Sequence, residues 1–100
     1  YLVLLKIFAE NVKYYRFTYK RTDDLKVGLS QEDLAELCDL STHYISDIER
    51  AKYSPTIPTI EVIAKGLNIK PSLLFEENPL AKEMPSSVEL FRKTSKNNSI

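Results

Sequence analysis

Residues 31–50 read Gln31-Glu32-Asp33-Leu34-Ala35-Glu36-Leu37-Cys38-Asp39-Leu40-Ser41-Thr42-His43-Tyr44-Ile45-Ser46-Asp47-Ile48-Glu49-Arg50. Two short helical stretches meet here across a tight turn, and their steep crossing constrains particular positions. Counting Gln31 as the first, the fourth, eighth, tenth, fifteenth and eighteenth positions have to be apolar to build the core between the helices. They are Leu34, Cys38, Leu40, Ile45 and Ile48. The fifth lies where the second helix crosses and has to be small, and it is Ala35. Every steric requirement fits, at fixed spacing and in a helical context, which separates this stretch from a generic amphipathic hairpin. Ser30 precedes the first helix, where its hydroxyl suits the backbone N–H of Asp33. The acidic first turn matches the positive end of the helix dipole. Ser41 caps the second helix.

Helical signals also dominate outside this stretch. Apolar Leu5, Phe8, Val12 and Tyr15 predict a first helix over residues 4–19. Residues 20–28 are polar and charged, a loop or a frayed extension of that helix. Pro55 stops the chain after the second motif helix, and Thr56 caps a fourth helix over 57–67 with Pro58 in its first turn. Residues 70–75 begin a short fifth helix, which Asn78-Pro79 breaks. A further short helix is expected over 87–93 before the chain frays. The expectation is an all-α domain over residues 1–79 with a tail over 80–100.

One hundred residues, 43% hydrophobic and 28% charged, suit one globular domain with a single core. One cysteine and one histidine provide neither a disulfide framework nor a clustered metal site, and no cofactor is expected. No paired-carboxylate cleft, nucleophile constellation or glycine-rich phosphate loop points to an enzyme. The apolar opening, Tyr1 to Phe8, lacks a basic region ahead of it and is too short to span a bilayer. It reads as the start of the first helix. A cytoplasmic setting with no membrane contact is expected.

Net charge is zero, but its distribution is uneven. Residues 1–29 carry six basic and three acidic groups, whereas residues 30–55 carry two basic and six acidic ones, a local charge of −4. A uniformly basic nucleic-acid footprint is absent, so any affinity for phosphate has to come from locally placed groups.

Leu29-Ser30-Gln31-Glu32-Asp33-Leu34-Ala35, then Leu40-Ser41, Tyr44-Ile45-Ser46-Asp47-Ile48-Glu49-Arg50 and Ser54-Pro55, closely resemble the Cro/cI-type helix-turn-helix regulators, the XRE family. The wording is most similar to controller proteins of restriction–modification systems and to phage repressor DNA-binding domains. The resemblance runs from about Val12 to Phe75 and includes Ile60, Ile63, Ala64, Leu67, Asn68 and Ile69. It implies a compact five-helix, lambda-repressor-like domain that is usually dimeric and places its third helix in the major groove of double-stranded DNA. The implied function is sequence-specific transcriptional regulation by a repressor or controller. The alternative is an antitoxin-like module whose main partner is a protein of unspecified identity.

By the same resemblance, Thr42, His43 and Asp47 are the base-reading positions. Thr42 can pack its methyl on a thymine, and Asp47 can accept from a cytosine amino group. Ser30, Gln31, Ser46, Arg50 and Lys52 fall nearer the DNA backbone. The start of the first motif helix can hold a phosphate through its backbone N–H groups. Arg16 and Glu49 match a family pair that ties the first helix to the end of the third. Cys38 reads as a small hydrophobe. Tyr14, Tyr15, Phe17 and Tyr19 suit packing better than base stacking. Apolar Leu73-Leu74-Phe75 suggests a homodimer anchored by Leu74 and Phe75.

Three departures from the family stand out. Asp39 and Ala51 occupy positions where glycine is usual, and a left-handed Ala51 would be strained by about 1 kcal/mol. Between Arg16 and Gly28 lie eleven residues where the family has about three, so residues 18–26 contain an insertion between the first two helices. Its Lys20 and Arg21, with Lys26 nearby, are expected to touch backbone phosphates. The alternative is a lengthened first helix with no DNA contact.

Overall fold

Apolar residues at three- and four-residue spacing, capped by Ser30, Ser41 and Thr56, produce the helices that the pattern demands. The computed structural model describes residues 2–21 and 27–84. Among these, α1 runs Leu2–Phe17, α2 Gln31–Cys38, α3 Thr42–Glu49, α4 Ile57–Leu67 and α5 Pro79–Lys82, with a 3-10 helix at Pro71–Phe75. The fold is the expected all-α, five-helix arrangement. Lys26, the acidic residues 23 and 24 of the insertion, and the expected helix over 87–93 lie outside the described residues.

One core joins these elements. Phe8 and Val12 of α1, Leu34, Ala35 and Cys38 of α2, Ile45 and Ile48 of α3, Ile63, Ala64 and Leu67 of α4, and Leu74 are all buried, while Leu40 is half-buried at the edge. Helices α2 and α4 approach so closely that a Cβ on Gly66 would lie 2.7 Å from the Cys38 sulfur. Burial raises the Cys38 thiol pKa, consistent with a packed hydrophobe rather than a reactive thiolate.

The first helix begins and ends earlier than its apolar spacing predicts. It stops at Phe17 because the Arg16 carbonyl accepts the Leu29 N–H at 2.9 Å and the Tyr19 carbonyl accepts the Gly28 N–H. Lys20 then pairs with Val27 in an isolated antiparallel bridge. The insertion is therefore closed at its base by strand-like pairing, and it does not extend α1. Gly28 sits at φ +95°, with the Phe17 carbonyl oxygen 3.0 Å from where a Cβ would stand, so this closure depends on glycine.

Two expectations about the chain after α4 change. Residues 71–75 form a 3-10 turn, and Asn78-Pro79 starts α5 rather than merely breaking a helix, with Asn78 capping the Leu80 N–H at 3.0 Å. Leu74 is 0% exposed and belongs to the monomer core, and Phe75 stacks on Phe8 with ring centroids 5.3 Å apart. Leu74 is thus no dimer anchor, and Phe75 offers only part of its ring. Buried Asn11 holds the turn in place, donating its side-chain amide to the carbonyls of Leu73, Leu74 and Glu76 at 3.3, 3.0 and 2.8 Å.

Helices α2, α3 and α4 end alike. At each, a residue with φ between 55° and 59° follows the last turn: Asp39, Ala51 and Asn68. The next N–H reaches back to a carbonyl five residues earlier, from Leu40 to Ala35, Lys52 to Asp47 and Ile69 to Ala64, at 2.9–3.0 Å. These are paired carbonyl-satisfying caps in which a left-handed residue turns the chain. Asp and Asn tolerate that conformation, whereas Ala51 bears its full steric cost. Ala51→Gly should therefore raise stability by less than about 1 kcal/mol, the removed strain being partly offset by glycine's freedom in the unfolded chain. Thermal unfolding should move up by less than the roughly 4–8 °C that a full 1 kcal/mol would give. An unchanged or lower midpoint would show that strain at Ala51 does not exceed that offset.

Candidate nucleic-acid interface

The two motif helices are fixed at their starts by their own side chains. Ser30 and Asp33 form a reciprocal capping box: the Ser30 hydroxyl accepts the Asp33 N–H at 2.9 Å, and the Asp33 carboxylate accepts the Ser30 N–H at 3.1 Å. Ser41 accepts the Tyr44 N–H at 3.1 Å. The Ser30 backbone N–H holds the Asp33 carboxyl below its ordinary pKa, against a smaller opposing cost of burial. The Ser30 hydroxyl and Arg21 add to the lowering.

A buried ion pair sets the angle between the helices. Arg16 is fully buried; its Nε and Nη2 meet the two Glu49 carboxylate oxygens at 2.7 and 2.8 Å, and its Nη1 donates to the Leu29 carbonyl at 2.8 Å. The Gln31 amide donates to Glu49 Oε1 at 3.0 Å. The end of α1, the entry to α2 and the last turn of α3 thus converge on one carboxylate. This is the Arg16–Glu49 tie read from the sequence, with Gln31 added to it.

Ile45 and Ile48 turn α3 into the core, both 0% exposed, which leaves Thr42, His43 and Arg50 exposed and Ser46 half-buried on the outer side. Asp47 departs from the expected pattern. It is only 3% exposed; its Oδ1 lies 2.5 Å from Arg50 Nη2 and its Oδ2 3.2 Å from His43 Nε2. Both carboxylate oxygens thus face side chains of the protein itself, where the sequence reading expects an open acceptor for a cytosine amino group. The spacing of His43, Asp47 and Arg50, four and then three residues, puts all three on one helical stripe and was the available signal.

The remaining expected residues divide into two groups. Ser46 and Lys52 flank the exposed side of α3, and Ser30 and Gln31 open α2, with the side chains of the latter two engaged inside the domain. Arg21 lies 3.5 Å from the Asp33 carboxylate, so the insertion's guanidinium braces the start of α2. Lys20 is exposed at the closing bridge. Tyr15 and Tyr19 pack against the core, Tyr14 meets Tyr15 edge-on at 5.1 Å, and Arg16 lies over the Phe17 ring at 4.4 Å. Tyr53, which no motif position marks, is an exposed ring 6.1 Å from Tyr44 just beyond α3.

The family described as Helix-turn-helix matches residues 24–74. The control protein C.BamHI of Bacillus amyloliquefaciens is 37% identical over 70 residues, covering 70% of this chain and 78% of that one. The control protein C.SmaI of Serratia marcescens is 34% identical over 83 residues, covering 83% and 89%. The immunity repressor protein of Bacillus phage phi105 is 44% identical over 55 residues, 55% of this chain, and the chain spans 38% of that repressor's length. The crystal structure of a hypothetical transcription factor, NHTF, from Neisseria superposes with a TM-score of 0.64 at 28% identity, covering 79% of each chain.

The capping box makes a pH prediction. Because the folded-state pKa of Asp33 is depressed, its contribution to stability is present above the unfolded carboxylate value, about 4, and is lost as pH falls through the folded value. Asp33→Asn should therefore lower stability at neutral pH and make the acid limb of the stability curve shallower. Urea unfolding of both proteins across pH 2–7 (about the carboxylate range and above) should give curves that converge on the acid side. Parallel curves would remove Asp33 from the acid response.

Proposed function

The chain belongs to the helix-turn-helix family of the XRE type, and from that premise we propose that it is a sequence-specific double-stranded DNA-binding transcriptional regulator of the repressor or controller kind, acting in the cytoplasm. The observation that carries this reading is the pairing of an exposed α3 face with the start of α2, both fixed by the Arg16–Glu49–Gln31 junction. In this reading α3 lies in the major groove, where Thr42 and His43 reach base edges. The exposed Thr42 offers a methyl for thymine and a hydroxyl for a base edge. The α2 N-terminus faces a phosphate through the backbone N–H groups of its first turn from Gln31 on, the Ser30 N–H being taken by Asp33, while Ser46, Arg50 and Lys52 border the opposite strand.

Among the described residues of the insertion, Lys20 is the exposed cation for a neighbouring phosphate; Arg21, braced on Asp33, contributes field more than direct contact. The acidic balance of residues 30–55 is milder than its formal count. Glu49 faces Arg16, Asp33 is bonded to Ser30 and lies near Arg21, and Asp47 sits between Arg50 and His43.

Selection from a random duplex library at two salt concentrations tests the function. A recovered motif whose affinity falls with salt supports it, and the absence of any motif at low salt overturns it. Thr42→Ala should then shift preference at one base pair by about 1–3 kcal/mol while leaving the helical circular dichroism unchanged. Unchanged preference would remove α3 from base reading.

The protein is further proposed to act as a homodimer, with a second copy seated on the groove of about 180 Å³ lined by Leu4, Leu5, Phe8, Pro55, Ile60 and Phe75. This groove adjoins the connection that leaves α3, so a two-fold contact there would relate two reading helices and produce a palindromic site. Leu4 is 49% exposed, so Leu4→Glu should abolish the dimer without unfolding the monomer. Sedimentation at tens of micromolar (roughly the range where weak dimers form) checks this. A wild-type monomer, even with the selected duplex present, would overturn it.

A further inference from the structure

The enclosed Asp47 carboxylate has a role that base reading does not describe. Its side chain is 4% exposed, yet both of its partners are far more open: His43 is 83% exposed and Arg50 52%. A lone carboxylate on a groove-facing helix would repel phosphate and would not shed its water without compensation. Here both oxygens are covered, one by Arg50 Nη2 at 2.5 Å and the other by His43 Nε2 at 3.2 Å. The same guanidinium is held a second time, with Nε 3.4 Å from the Ser46 carbonyl. These two contacts use Nε and Nη2, so the outer edge formed by Nη1 and Nη2 remains a fork of two parallel donors.

We propose that Asp47 is a positioning residue whose carboxylate orients Arg50 as a two-donor clamp on DNA. This rests on reading α3 as the groove-facing helix. The clamp fits an acceptor pair, either guanine O6 and N7 or two oxygens of one phosphate. Asp47 lowers the entropy lost when a long, flexible side chain docks, because the guanidinium is already held against the helix. His43, on the other oxygen, completes the cover and keeps the carboxylate from facing the DNA.

The charge of Asp47 makes the test decisive. If Asp47 were merely a negative charge near phosphate, removing it would tighten binding. If it positions Arg50, removing it weakens binding even though a negative charge has gone. Wild type, Asp47→Asn, Arg50→Gln, the double variant and Arg50→Lys would be titrated by fluorescence anisotropy against the selected operator and an unrelated duplex over a range of salt.

The expected result is that Asp47→Asn loses about tenfold on the operator, Arg50→Gln loses at least as much, and the double variant loses no more than Arg50→Gln alone. Arg50→Lys keeps the charge but lacks the fork, so it should weaken operator binding with little change in salt slope. It tests the clamp even if Asp47→Asn does not fold.

Library selection with Arg50→Gln separates the two acceptors. A changed preference at one base pair assigns the fork to guanine. A uniform loss with a salt slope flatter by about one unit assigns it to phosphate. Equal or tighter binding by folded Asp47→Asn would overturn the proposal, as would full activity of Arg50→Lys. A shift in base preference caused by Asp47→Asn that persists without Arg50 would restore Asp47 as a direct reader. Failure of the wild type to select any duplex would instead overturn the DNA-binding function itself.

Discussion

A guanidinium with no solvent exposure, gripped by one carboxylate, sets the geometry on which the rest of this domain depends. Arg16 reaches from the last turn of α1 to both oxygens of Glu49 at the end of α3, and to the Leu29 carbonyl just before α2. Taking both charges out of water costs several kcal/mol per ion, and their attraction repays this only with near-ideal hydrogen bonding. The pair therefore contributes position more than net stability. Arginine suits the task because its planar fork meets both carboxylate oxygens at once and still has a donor for Leu29. A lysine at residue 16 would offer a point charge with no preferred direction.

Gln31 extends the junction to the first turn of α2, so the start of one motif helix and the end of the other share one acceptor. The caps complete the definition of the two helices. Ser30 and Ser41 fix where they begin, and left-handed Asp39 and Ala51 fix where they end. Between these points the small side chain of Ala35 and buried Ile45 and Ile48 set how closely the helices pack. Local backbone chemistry thus determines the lengths of α2 and α3, and the buried pair determines their relative orientation.

The electrostatics follow the same division of labour. Residues 30–55 look hostile to DNA when their charges are merely counted, since carboxylates outnumber cations three to one. Folding reassigns those charges. Glu49 is matched inside the domain, Asp33 is held in a cap, and Asp47 is enclosed by two side chains of its own helix. Glu32, Glu36 and Asp39 remain as exposed acids on α2 and the turn. The most exposed groups on the open side of α3 are the Thr42 hydroxyl, the His43 imidazole and the Arg50 guanidinium.

Much of this was legible in the residues themselves. Fixed spacing of Leu34, Ala35, Cys38, Leu40, Ile45 and Ile48 determines a helix-turn-helix, because side-chain volume at a steep crossing is a local requirement. The Ser30 cap on Asp33 was readable for the same reason, being settled within a few residues along the chain, whereas the left-handed turns at residues 39 and 51 were marked only by the family's usual glycines. Tertiary structure alone decided the fate of groups with distant alternatives. Leu74 looked surplus to a short helix until α1 and α4 enclosed it, and no motif position marks Asn11, whose buried amide meets three carbonyls in and just after the 3-10 turn. The first helix lost its last two predicted residues to backbone pairing with residues 27–29, a competition that helical periodicity does not register. Asp47 illustrates the limit most clearly. Its spacing to His43 and Arg50 permitted the contacts, but whether a carboxylate faces water or its neighbours depends on the balance of solvation, pairing and rotamer freedom in the assembled fold. Sequence determines which groups can meet, and packing determines which of those meetings exclude water.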